Sequence, residues 1–113
     1  MKIFYGSSAG REDVSCNSPI EASLETALDI FRAFDPRKGF IGIPLDERFV
    51  LQMSAQKDNK INVELLDTSI PAFDSCDTEV DFAEDLIRAA AEGQDVFRIA
   101  RASHYEWKHL DMS

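Results

Sequence analysis

Basic residues are scarce in this 113-residue chain: 12 lysines and arginines stand against 21 acids, for a formal net charge of −9. Such a chain repels phosphate backbones, which argues against nucleic acid as a partner. Cysteine is scarcer still. Cys16 and Cys76 lie far apart and form no C-x-x-C motif, so the disulfide framework of a small secreted domain is excluded. They read as reduced thiols that fill small apolar sites in a cytoplasmic protein. Long hydrophobic runs are missing, and nothing approaches the roughly 18 apolar residues of a membrane helix. Met1–Gly6 carries only Ile3, Phe4 and Tyr5 after its lysine, which does not read as a signal peptide. There is no internal repeat, low-complexity tract or linker. What is present is 44% hydrophobic and 29% charged, an ordinary globular composition. It predicts one domain, residues 1–113, able to bury roughly two-thirds of the surface its unfolded chain exposes.

Hydrophobic periodicity predicts an α+β fold. Lys2–Tyr5 reads as a strand ending at Gly6, and Gly6–Asn17 as a polar loop. Ser18-Pro19-Ile20-Glu21 combines a capping box with proline at the first helical position. The spacing of Ile20, Leu24, Ala27, Leu28, Phe31 and Phe34 then predicts a helix that Pro36 stops. Phe40–Ile43, Phe49–Ala55 and Ile61–Leu66 read as three closely joined antiparallel strands. In these, Leu51, Met53, Ile61, Val63 and Leu65 are the inward positions. Asp67–Asp77 reads as a loop with Ile70 and Phe73 as anchors. Thr78 caps a second helix whose core stripe is Ala83, Leu86, Ile87 and Ala90 and whose stop is Gly93. Asp95–Ala100 reads as a last strand, and the tail Ser103–Ser113 packs through Tyr105, Trp107 and Leu110. The order β-α-β-β-β-α-β predicts a mostly antiparallel sheet with two amphipathic helices on one face.

Charge is unevenly placed. Ile61–Ile87 contains no base and eight acids: Glu64, Asp67, Asp74, Asp77, Glu79, Asp81, Glu84 and Asp85. A field this local costs self-repulsion in the fold. Acids in the first turn of the second helix are favoured by its dipole, which explains Glu79 and Asp81 in part. The remaining excess predicts a docking surface for a basic protein, made of Asp67, Asp74, Asp77, Glu79, Asp81, Glu84 and Asp85, which would raise the association rate.

Several motifs invite catalytic readings. Gly6-Ser7-Ser8-Ala9-Gly10 matches G-x-S-x-G, with His104 following in triad order. A nucleophile elbow needs a helix directly after the serine, and Arg11–Asn17 has no helical pattern. The acids of Asp74–Asp81 lack the spacing and the glycine of a calcium loop. His104 and His109, five apart, share a face of neither a helix nor a strand. Gly6–Arg11 lacks the G-K-[ST] ending of a phosphate loop. No cofactor, metal or catalytic residue is implied.

Three strand segments carry a likeness. Lys38-Gly39-Phe40-Ile41-Gly42-Ile43, Phe49-Val50-Leu51-Gln52-Met53 and Asn62-Val63-Glu64-Leu65 resemble small immunity proteins of bacterial polymorphic-toxin and contact-dependent inhibition systems. Those have a GF(I/V)GF-like strand, a strand with Leu-Gln and a strand with a V-E or I-E pair. The likeness spans residues 38–66. It implies a non-catalytic protein that binds and blocks a cognate toxin, whose basic active-site cleft (a nuclease groove, for instance) suits an acidic partner. Gln52 and Glu64 are the matching polar positions, and a structural hydrogen bond between them is expected if they face each other across the sheet. Two other readings stand beside it. One is a small enzyme or ligand-binding domain with a pocket near Ser8, Cys76 and His104, joined by Cys16 and Asp74. The other is a self-associating structural subunit.

Overall fold

The computed structural model describes residues 1–111. Its strands and helices run β1 (Lys2–Gly6), β2 (Ile20–Glu21), α1 (Leu24–Arg32), β3 (Phe40–Pro44), β4 (Phe49–Ala55), β5 (Lys60–Asp67), β6 (Ala72–Glu79), α2 (Val80–Ala91), α3 (Val96–Arg101) and β7 (Lys108–Asp111). The strands form one seven-stranded sheet in the order β2-β1-β3-β4-β5-β6-β7, every neighbouring pair antiparallel. The fold is α+β, as the periodicity predicts. Among the described residues no helix is long and apolar enough to cross a membrane.

The core follows the alternation of the central strands. Ile3, Tyr5, Ile41, Ile43, Leu51, Met53, Ile61, Val63 and Leu65 are buried and share one cluster with Ala27, Leu28, Ile30 and Phe31 of α1, Ala83, Leu86, Ile87 and Ala89 of α2, and Val96, Phe97 and Ala100 of α3. Strand positions of the opposite parity contribute nothing to that cluster, so the sheet has a second face with its own composition.

Four local expectations are corrected. Ser18–Glu21 is not a helix start. Ile20 and Glu21 pair with Ile3 and Lys2, Ile20 is 42% exposed, and Met1 exchanges two backbone hydrogen bonds with Ala22. The helix begins after Ser23, whose Oγ accepts from the Thr26 N–H at 3.1 Å. Pairing with an open strand edge outweighs a local capping box. Ala72–Glu79 forms a strand along the whole of β5 where a loop is expected. Its alternation is weak in hydrophobicity, because Asp74 and Cys76 sit between the buried Ala72 and Thr78. Thr78 is consequently not a cap. It is fully buried, its Oγ1 lies 3.4 Å from the Ile61 carbonyl, and Glu79 is the N-cap residue. Finally, Asp95–Ala100 is helical: the Asp95 carboxylate accepts from the Arg98 N–H at 3.2 Å, and Val96, Phe97 and Ala100 fall on one side of the turn.

The tail packs through Tyr105 and Trp107 as expected, whereas Leu110, expected as a third anchor, is 40% exposed. Trp107 Nε1 donates to the Ala100 carbonyl at 2.9 Å, and the Tyr105 hydroxyl accepts from the Glu79 N–H at 3.0 Å. Lys108–Asp111 then adds the edge strand β7; Met112 and Ser113 lie outside the described residues.

Candidate functional site on the outer sheet face

The acidic run does not remain a bare acidic surface. Arg48 makes a forked pair with Asp67, at 2.8 and 2.7 Å, and Ser69 adds a hydroxyl donor. These bonds hold the Asp67 carboxyl far below the usual carboxylate range. Arg101 Nη2 reaches Asp74 Oδ2 at 3.1 Å, and His109 Nδ1 lies 2.8 Å from Asp74 Oδ1. Burial opposes the charge on Asp74, but these two partners outweigh it and lower its pKa. Lys60 pairs with Glu79 across the β5–β6 register. Glu84, whose side chain is 13% exposed, takes a fork from Arg32 at 3.1 and 2.8 Å and a further contact from Arg88 at 3.4 Å. The Arg32 bonds hold its carboxyl below the ordinary value. Asp85, 70% exposed, lies 3.4 Å from Arg88. Five of the seven predicted docking residues (Asp67, Asp74, Glu79, Glu84 and Asp85) are therefore tied to cations from elsewhere in the fold.

These pairs organise a structural network. Arg48 stacks over Phe49 at 4.9 Å, Phe49 meets Phe97 edge-on at 5.1 Å, and Arg101 stacks over Phe97 at 5.4 Å. The line from Asp67 to Asp74 thus closes through two cation–π contacts and one aromatic pair, fastening α3 to β4 and β6. The acids of this network serve the fold.

Of the run's eight carboxylates, five (Asp67, Asp74, Glu79, Glu84 and Asp85) are paired with Arg32, Arg48, Lys60, Arg88 and Arg101, which leaves three. The three outside these ion pairs are Glu64, Asp77 and Asp81. Asp81 is exposed in the first turn of α2. Glu64 and Asp77 lie together on the outer face of the sheet, the face of opposite parity to the core.

That face has a layered composition, which the register makes explicit. One row across five strands is Pro44, Val50, Leu66, Phe73 and Leu110, all apolar, with Leu110 40% exposed at the edge. The next row is Gly42, Gln52, Glu64, Ser75 and Lys108, and the one after is Phe40, Ser54, Asn62 and Asp77. A Cβ on Gly42 would fall 1.9 Å from Phe4 Cζ, so the Phe4 ring lies across that glycine and ends the polar row with an aromatic wall. Asn62 Nδ2 donates to Ser75 Oγ at 2.9 Å and to Asp77 Oδ1 at 3.0 Å. Gln52 and Glu64 are cross-strand partners, yet no hydrogen bond joins their side chains. The expected structural bond is absent. Among the described residues, no hydrogen bond or ion pair reaches the Glu64 carboxylate. Half-burial alone raises its pKa, the opposite sense to Asp67, Asp74 and Glu84.

The residues of the enzyme reading have separate partners. Ser8 is buried, and its Oγ donates to the Ile30 carbonyl at 2.9 Å, which ties the Gly6–Asn17 loop to the end of α1. Cys76 Sγ lies 3.5 Å from the Asp77 carbonyl, and burial pushes its thiol up, away from the thiolate. His104 stacks on Tyr105 at 4.2 Å, and Cys16 is exposed beside Asn17. Among the described residues, no three His, Cys, Asp or Glu side chains stand together as a metal ion would need.

No family model, curated protein or solved structure matches the chain. Functional inference therefore rests on the geometry of the outer face. Glu64, the residue that matters most there, carries no sequence mark beyond its match to the V-E pair of the resemblance. That Asp67, Asp74, Glu79 and Glu84 are paired depends on contacts between residues 19 to 52 positions apart.

Proposed function

We propose that this protein is a cytoplasmic neutraliser of a basic protein toxin, of the immunity-protein kind its central strands resemble, and that it docks by the outer face of its sheet. The observation that carries the reading is Glu64, an ionisable group held half-buried, with no partner among the described residues, at the centre of a face with an apolar row on one side. Leaving such a group unpaired costs the fold and is repaid when a cationic partner covers it. The net charge of −9 supplies long-range steering toward a basic cleft. Contact specificity comes from Gln52, Glu64, Asn62 and Asp77, and apolar area from Val50, Leu66 and Phe73. Glu84 ties α2 to Arg32 of α1, Asp85 pairs with Arg88 within α2, and both stay out of the contact. Covering a basic substrate groove excludes the substrate, so inhibition needs no chemistry from this chain.

The test is co-expression with the product of the gene immediately upstream, where the proposal expects a toxin domain. Restored growth and co-elution of the two proteins are expected. A host that dies despite soluble, folded protein, or protection that also extends to unrelated toxins, would overturn the reading.

A further inference from the structure

We infer that Glu64 is the receptor for one arginine side chain of the protein partner, seated on the outer sheet face between Gln52 and Ser75 and against Leu66 and Phe73. This rests on the protein-binding reading above and names the chemistry recognised at its centre. The register places Gln52 and Ser75 directly beside Glu64 on the two neighbouring strands, at the roughly 4.7–4.9 Å spacing of adjacent strands. A carboxylate, an amide oxygen and a hydroxyl within that span can share the five N–H donors of one guanidinium. Among the described residues the Gln52 amide makes no hydrogen bond, so its oxygen is available to accept. The same row contains Lys108, but no ion pair joins it to Glu64 among the described residues. Shielding from water then selects the kind of cation. Arginine is more weakly hydrated than lysine, is planar, and stacks on aromatic and apolar surface such as Phe73 and Leu66.

Charge complementarity also decides against a second copy as the occupant. Two of these faces apposed would set Glu64 and Asp77 against their own duplicates.

The experiment is an NMR titration of the intact protein with acetyl-Val-Arg-Val-amide, alongside the lysine peptide and the citrulline peptide. Citrulline keeps the shape of arginine and removes its charge. Saturable shifts are expected at the Glu64 carboxyl carbon and at Gln52, Leu66, Phe73 and Ser75, with millimolar affinity. The lysine peptide should bind about fivefold or more weakly, and the citrulline peptide should give no saturable shift. Glu64→Gln, with its amide spectrum showing the fold intact, should weaken arginine binding about tenfold or more. Equal binding of arginine and citrulline, shifts centred on Asp81 and Asp85, concentration-dependent self-association through this face, or no saturation at about 20 mM peptide would overturn the assignment. Growth protection that survives intact in Glu64→Gln overturns the arginine receptor and leaves toxin neutralisation standing. A successful titration without growth protection does the reverse.

Discussion

Replacing Glu64 by glutamine keeps the side chain's shape and removes its charge, and it should make the free protein more stable at neutral pH. Burial raises the pKa of this carboxyl above the ordinary glutamate value of 4.5, with no ion pair or hydrogen bond opposing the shift. A group whose folded pKa is raised contributes stability below its unfolded pKa and loses it as pH climbs through the folded pKa. Wild type and Glu64→Gln should therefore match at pH 4 and below, and diverge above pH 5 in favour of the variant. The side chain is half-buried, so solvent screens part of the penalty. A gain of about 0.5–1 kcal/mol is expected at pH 7, or roughly 2–4 °C in Tm for a domain of this size. Urea unfolding followed by the fluorescence of Trp107, the single tryptophan, measures it at both pH values. A Glu64→Gln variant less stable than wild type at pH 7 would show that the carboxylate has a stabilising partner, and the reasoning about the outer face would fail.

The paired acids should behave in the opposite sense. Glu84→Ala removes the fork to Arg32 and leaves Arg32 and Arg88 facing each other, so it should cost about 2–3 kcal/mol in urea unfolding, while Asp85→Ala, at a largely exposed site, should cost less than about 0.5 kcal/mol. Equal losses would contradict the division between the two. Asp74 and Glu84 have pKa values lowered by their cationic partners, and Asp46 by the N–H groups of Phe49 and Arg48. Lowered folded pKa values mean stability that is present above the unfolded value and lost as pH falls through the folded one, so unfolding free energy should drop steeply below about pH 4; a flat profile between pH 4 and pH 2 would refute it. Gly42→Ala places a methyl against the Phe4 ring and should cost about 2–3 kcal/mol, and Phe4→Ala in the same chain should cost less than the two single losses together, which thermal unfolding of the double variant checks.

The central sheet is legible in the sequence because its signal is local. Every second residue of Phe49–Ala55 and of Ile61–Leu66 is apolar, the pattern of a strand with one buried face, although Val50 and Leu66 make the other face partly apolar too. β6 was hidden because only Ala72 and Thr78 of its core-side positions are fully buried, while Asp74 turns inward to meet Arg101 and His109. The strand β2 and the later start of α1 share one cause. Ser18-Pro19-Ile20-Glu21 is a sound helix start in isolation, but the edge of β1 offers Ile20 and Glu21 a better set of hydrogen bonds. For the candidate site, the acidic run was plain and its meaning was not. Arg32 lies 52 positions before Glu84 and Arg101 lies 27 after Asp74, so local spacing gives no sign that either acid is neutralised. Glu64 stood in the same run and matched the resemblance. Its distinction is the absence of a partner among the described residues, which only the folded arrangement of β4, β5 and β6 defines.

The most direct measurement of docking by the outer face is the affinity of the cognate toxin for two charge reversals made in parallel, Glu64→Lys on the sheet and Asp81→Lys on α2. Reversal at Glu64 should weaken the dissociation constant at least a hundredfold, by placing a cation where a cation must bind. Reversal at Asp81 should change it by no more than about threefold and act mainly through the association rate. Near-normal affinity in Glu64→Lys, with a large loss in Asp81→Lys, would move the contact to α2 and contradict docking on the sheet.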